Sequence, residues 1–288
     1  MNFFQKLFGS KIENEDEKRA EEKEKNFDVL KYDGVRALRM GQYEYAIRCF
    51  RHALEIDDDL EVHDYLSQAL IHNNELLPAY KELQVLATAE PENQDVFIRM
   101  ASVAFMAEDY NAMADACRRA LEINTGNPVV FQFYSRAYRG LGDYVNALQM
   151  VNKAIEIDDK YADAYQLRGE ILLEMGDVNS ADRDADWLLE HTDDNEDAYL
   201  FKARVERAKG NYQSAITYYN KVAELNPFRI EVFRERGALK LSIGDKAGAE
   251  EDGRRLLEIN SEGQNSEEAL KAKKKVDDIK NDENLEKV

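Results

Sequence analysis

Long apolar runs are missing from this 288-residue chain. No stretch approaches the ~18 consecutive apolar residues that a membrane-spanning helix needs. The first residues likewise lack the apolar run and cleavage site of a secretory leader. Cysteine is scarce: Cys49 and Cys117 are the only two, too few for a disulfide framework and more in keeping with a reducing compartment, by default the cytoplasm. Of four histidines, His63 and His72 stand nine residues apart while His52 and His191 are isolated, so no Cys/His spacing suits a metal such as zinc. Basic residues are outnumbered, 39 Lys and Arg against 58 Asp and Glu, for a formal charge of −19. That deficit argues against nucleic acid as a partner, because phosphate binding needs a basic surface. It favours solubility and steers encounters toward basic partners. No Gly-rich phosphate loop or nucleophile motif appears, so neither catalysis nor a cofactor is expected.

What is present instead is a period. Residues 196–229, EDAYLFKARVERAKGNYQSAITYYNKVAELNPFR, read as two short helices and a turn. Tyr199 opens the first helix, Ala203 is its small mid-helix residue, and Lys209-Gly210-Asn211-Tyr212 is the turn. Ala215, Tyr219 and Val222 line one side of the second helix, and Asn226-Pro227 closes the unit. Steps of 34 residues from Gly210 and Ala215 land on Gly142, Gly176 and Gly244, and on Ala147, Ala181 and Ala249. A fixed period in this range marks a stack of repeats sharing an elongated core. The seven units fall at 27–59, 60–93, 94–127, 128–161, 162–195, 196–229 and 230–263. Asn74 and Glu108 stand where the other turns have glycine, and Met113 where the second helices have alanine. Ala147, Ala181 and Ala215 are expected to be buried.

Residues 1–26 and 264–288 lie outside the period. Phe3, Phe4, Leu7 and Phe8 would share one helix face, and Ser10-Lys11-Ile12-Glu13 fits a capping box that starts a helix at Ser10. The following ENEDEKRAEEKEK is polar on every side, as in a solvated helix or a tether. Three fates suit residues 1–9: a free tail, peripheral contact with a bilayer aided by Lys6 and Lys11, or docking near Leu38, Ile71 and Phe105. At the other end, Ser266 caps a predicted helix with Ala269, Ala272, Val276 and Ile279 on one side. Such a helix covers the last apolar face of an open stack.

The spacing and the residues together resemble the tetratricopeptide repeat, a 34-residue helix–turn–helix unit. Gly34, Gly169 and Gly237 match the first-helix glycine, with Ala101, Ala203 and Ser135 as small substitutes. Phe50, Tyr219, Ala53, Ala120, Ala154, Pro91 and Pro227 match later positions. Departures are Asp33 at a usual leucine position and Asp58, Asp159 and Asp193 where proline is usual. The resemblance implies an all-α, right-handed superhelical solenoid whose first helices line a concave groove for peptides or helices of partner proteins. It implies no activity by itself. One co-chaperone class of the family clamps acidic tails with Lys and Asn at fixed first-helix places. Lys31 and Arg99 fit that pattern, but Val35, Tyr65 and Asp95 do not, and the class is disfavoured.

Two rows of first-helix residues should face the groove: Val35, Gln68, Ser102, Arg136, Glu170, Arg204 and Ala238, then Leu38, Ile71, Phe105, Arg139, Leu173, Arg207 and Leu241. The second row is largely apolar, which suits either packing between repeats or an interaction surface. Arg136, Arg139, Arg204 and Arg207 are the candidate partner-binding cations, since guanidinium forks suit carboxylates. Gln132 and Gln166, one turn earlier, are candidates for a peptide backbone, and Phe105 for an apolar contact. The competing reading is an internal ladder in which Glu170 sits between Arg136 and Arg204. The acidic series Asp28, Glu61, Asp95, Asp163, Asp197 and Glu231 suits the positive end of each helix dipole. The reading at this point is a scaffold or adaptor for proteins or peptides, with a membrane-surface assembly factor as the alternative and the oligomeric state open.

Overall fold

The computed structural model describes the backbone of residues 3–264 and the side chains of 17–259. Among the described residues there are fourteen α-helices and no strand. They run α1 (Phe3–Arg39), α2 (Tyr43–Leu54), α3 (Leu60–His72), α4 (Leu76–Ala89), α5 (Gln94–Met106), α6 (Tyr110–Ile123), α7 (Pro128–Gly140) and α8 (Tyr144–Ile157). Then follow α9 (Ala162–Glu174), α10 (Val178–His191), α11 (Glu196–Ala208), α12 (Tyr212–Leu225), α13 (Ile230–Ser242) and α14 (Lys246–Gln264). The chain divides into two compact units, Met1–Asp159 with α1–α8 and Lys160–Val288 with α9–α14. Inside each, an odd-numbered first helix packs on the even-numbered second helix that follows, which packs on the next first helix. Successive first helices also touch, α1 on α3 and α5 on α7 in unit 1, α9 on α11 in unit 2.

The hairpin turn is set by one residue. Gly142 has φ +77° and Gly176 +83°, a left-handed conformation that costs glycine nothing. The residue after it returns its amide to the helix just left: Asp143 N donates to Tyr138 O at 2.9 Å. That same residue caps the next helix, as Asp143 accepts from the Asn146 amide at 3.1 Å. Asn74 (φ 59°) and Glu108 (φ 55°) hold the same conformation without glycine, at a steric cost that is larger for Glu.

Small residues let the two helices of a hairpin close. Ala147, Ala181 and Ala215 are fully buried, each at 0% exposure, and Met113 fills the same place at 0%. A Cβ on Gly34 would lie 2.5 Å from the Phe50 ring of the same hairpin, and one on Gly169 2.5 Å from the Phe201 ring of α11 in the next repeat. The core of unit 1 is a continuous apolar cluster from Phe27 to Ala137. Cys49 and Cys117 are buried free thiols within this unit, and burial pushes Cys117 up to about 12.

Two expectations change. α1 does not start at Ser10 but runs unbroken from Phe3 to Arg39, because a stretch rich in Glu and Lys continues a helix more readily than it caps one. A helix without a break cannot fold back, so residues 3–9 do not return to Leu38, Ile71 and Phe105 of their own chain. The side chains of Phe3, Phe4, Leu7 and Phe8, and the helix expected after Ser266, lie outside the described residues. No described helix is long and apolar enough to cross a membrane.

Candidate partner-binding face

First helices are held to one another by side chains that bridge from one repeat to the next. In unit 1, Lys31 of α1 reaches Glu61 at 2.7 Å and Asp59 at 3.2 Å. Burial works against the Lys31 ammonium, but the two carboxylates outweigh it and its pKa lies above the ordinary lysine value. Arg99 of α5 pairs with Asp64 and Ser67 of α3. Arg136 of α7 lies over the Phe105 ring of α5, 5.4 Å from its centroid.

In unit 2 the link is Glu235 of α13. Arg204 of α11 donates from Nη2 and Nε to its carboxylate at 2.7, 3.1 and 3.2 Å. Tyr219 Oη donates to the same group at 2.9 Å. Arg207 stands 3.7 Å away with its side chain 44% exposed. Burial disfavours the Glu235 carboxylate, yet Arg204 and Tyr219 hold its pKa below the ordinary value. Tyr219 is pushed up, by burial first and by Glu235 second.

The structure therefore brings Arg136 to Phe105, and Arg204 and Arg207 to one shared carboxylate. Arg204 pairs with Glu235 rather than bonding Glu170, which instead accepts from Gln166 at 2.8 Å. Gln132 is buried at 5% exposure, beneath the face rather than on it. Arg139 is half-buried and engaged. The apolar row splits residue by residue: Leu38 and Ile71 pack against the core, while Phe105 is 38% exposed. Lys31 and Arg99, the two matches to an acidic-tail clamp, are both occupied by the protein's own carboxylates.

Sequence reasoning missed Glu235. It is the sixth residue of its repeat, where the three preceding repeats have Phe133, Leu167 and Phe201. A carboxylate at a large apolar position was the available signal. No group of three or more His, Cys, Asp or Glu among the described residues is arranged to hold a metal ion.

Repeated helical hairpins with polar, partly exposed first-helix faces define an α-helical repeat protein. Tetratricopeptide-repeat models match residues 167–230, and also 37–60 and 130–161. The chain belongs to the tetratricopeptide-repeat family. It is 32% identical over 78 residues to small glutamine-rich tetratricopeptide repeat-containing protein 2 of Mycosarcoma maydis, covering 27% of this chain and 22% of that one. It is 31% identical over 96 residues to serine/threonine-protein phosphatase 5 of Mus musculus, covering 33% of this chain and 19% of that one. The matches thus span about a fifth of these curated relatives. A tetratricopeptide repeat protein from Parabacteroides merdae superposes with a TM-score of 0.72 at 16% identity, covering 86% of this chain and 97% of that one. At that identity the likeness shows the fold alone.

Proposed function

We propose that the chain is a protein–protein interaction scaffold or adaptor that receives partner peptides or helices on its first-helix faces. The observation that carries this reading is the sharing of one carboxylate by two arginines between α11 and α13. Two arginines face one Glu235, which is taken up by Arg204 and Tyr219 and leaves Arg207 44% exposed at 3.7 Å. A guanidinium placed this way is a ready donor to a partner's carboxylate. Gln166, half-buried one turn before Glu170 on α9, is a second polar contact on that unit's face. Nucleic acid is not an expected partner of a chain of charge −19.

The test is cross-linking from a photoreactive residue placed at Leu241, on the exposed side of α13, in the native cell. Partners captured by the parent chain should be lost from a folded Arg207→Glu variant, and capture should weaken as salt rises. Equal capture by both chains would defeat the proposal.

A further inference from the structure

Unit 1 carries a cation of a different kind. Arg136 occupies the same repeat position as Arg204, yet it makes no ion pair with a described residue, and its one partner is the Phe105 ring at 5.4 Å. This is in a chain with 58 carboxylate side chains. The ring takes the face of the guanidinium and leaves its edge, where the five N–H donors point, without a protein acceptor. The ring itself is left partly open, since Phe105 is 38% exposed, and the residue after it on α5, Met106, is 46% exposed.

We infer that this α5–α7 ledge binds a partner segment carrying an acidic side chain one helical turn from a large apolar one. The inference rests on the scaffold reading and names the partner's chemistry at one site. The carboxylate meets the edge of Arg136 while the apolar neighbour covers the open side of Phe105. Stacking on Phe105 holds the guanidinium in place before the partner arrives, so little side-chain freedom is lost on binding. A single carboxylate suits the site better than a phosphate dianion, which the chain's charge of −19 repels about twice as strongly.

The full chain can be used as bait for a displayed library of random 12-residue peptides. Selected peptides are then made with amidated C-termini and titrated by fluorescence anisotropy. They should carry Asp or Glu three or four residues from Leu, Ile, Met or Phe. Affinity should fall at least about tenfold on Arg136→Gln and on Phe105→Ala, and less on Arg136→Lys, which keeps the charge but loses the planar stack. Arg183→Gln, a change at an exposed arginine of α10, should leave affinity unchanged, and all four variants should melt at the parent temperature. Binders indifferent to Arg136→Gln and Phe105→Ala would overturn the ledge and leave the scaffold reading standing. Binders that require a free C-terminal carboxylate would overturn the acidic side chain as ligand. A selection that yields no binder would count against both.

Discussion

The two units solve one packing problem with opposite chemistry. At the seventh residue of each repeat, unit 1 has Leu66, Met100 and Tyr134 after the first repeat, two of them buried at 2% and 7% exposure. Unit 2 has Arg168, Lys202 and Arg236 at the same place. Each is answered by carboxylates on a second helix: Asp184 accepts from Arg168 at 2.9 and 2.5 Å, Asp182 from Lys202 at 2.7 Å, and Asp252 from Arg236 Nε at 3.0 Å. Asp184 and Asp252 are buried, at 4% and 1% exposure. Alanines and glycines set how near the helices come, so the hairpin accepts either an apolar filling or a paired charge. The two fillings fail differently. Truncating an apolar side chain leaves a cavity, whereas removing one member of a buried pair leaves a charge without compensation.

The largest expected effect follows from that difference. Asp184→Ala should cost ~3–5 kcal/mol in urea unfolding, because the half-buried Arg168 guanidinium loses its buried two-point carboxylate. The double change Arg168→Met, Asp184→Leu should be near neutral or more stable by ~1–4 kcal/mol. A double variant as unstable as the single one would show that the pair itself, and not the loss of charge compensation, supplies the stability. On the apolar side, Leu66→Ala should cost ~2–5 kcal/mol with no rescue available.

Smaller effects test the hairpin that both units share. Ala181→Leu or Ala215→Leu should overpack the helix pair and cost ~1–3 kcal/mol; stability unchanged in both would mean that the alanines do not set the spacing. Glu108→Gly should raise stability by ~0.5 kcal/mol, since relief of a left-handed Glu, ~1–2 kcal/mol, outweighs the added freedom of the unfolded chain, ~0.5–1 kcal/mol. A lower melting temperature would contradict the strain.

The smallest effect depends on pH and belongs to unit 1. His63, 8% exposed, contacts Asp58 from Nε2 at 2.8 Å and Glu82 from Nδ1 at 2.5 Å. Burial alone would lower its pKa, but the two carboxylates outweigh that and raise it above 6.5. The folded state therefore holds this proton more tightly than the unfolded state. Its stabilisation should be complete below about pH 6.5 and lost as pH rises through the folded value. Melts at pH 5.5 and 8.5 should differ more for the parent than for His63→Gln, and an equal difference in both would remove His63 as the cause.

What could be read from residues alone was whatever every repeat must obey locally. Gly142, Gly176, Gly210 and Gly244 share a left-handed turn, and Ala147, Ala181 and Ala215 share a fully buried place in the second helix. Partner choice was not readable in this way. Arg168 and Asp184 lie 16 residues apart and Arg204 and Glu235 lie 31 apart, so a pairing depends on how neighbouring helices are set against one another. Glu170 was the candidate because it shares the row of Arg204, and Glu235 took the bond because it projects from the next first helix with Tyr219 beside it. The start of α1 was misplaced because a capping box says where a helix can begin, not whether an earlier helix has already arrived.

The unbroken α1 has a consequence for reach. Residues 3–26 precede the first repeat as helix, and 17–25 are exposed all round. At ~1.5 Å per residue that length is a strut of about 36 Å. A stiff strut holds its two ends at one separation, so the effective concentration of one at the other is close to nil. A ligand bound at the start of α1 would thus be kept about 36 Å from one held by the first repeats, and both could be held at once without competing. Two glycines inserted after Lys25 would turn the strut into a leash. The distance between labels at residues 5 and 52, sharp in the parent chain, should then become broad.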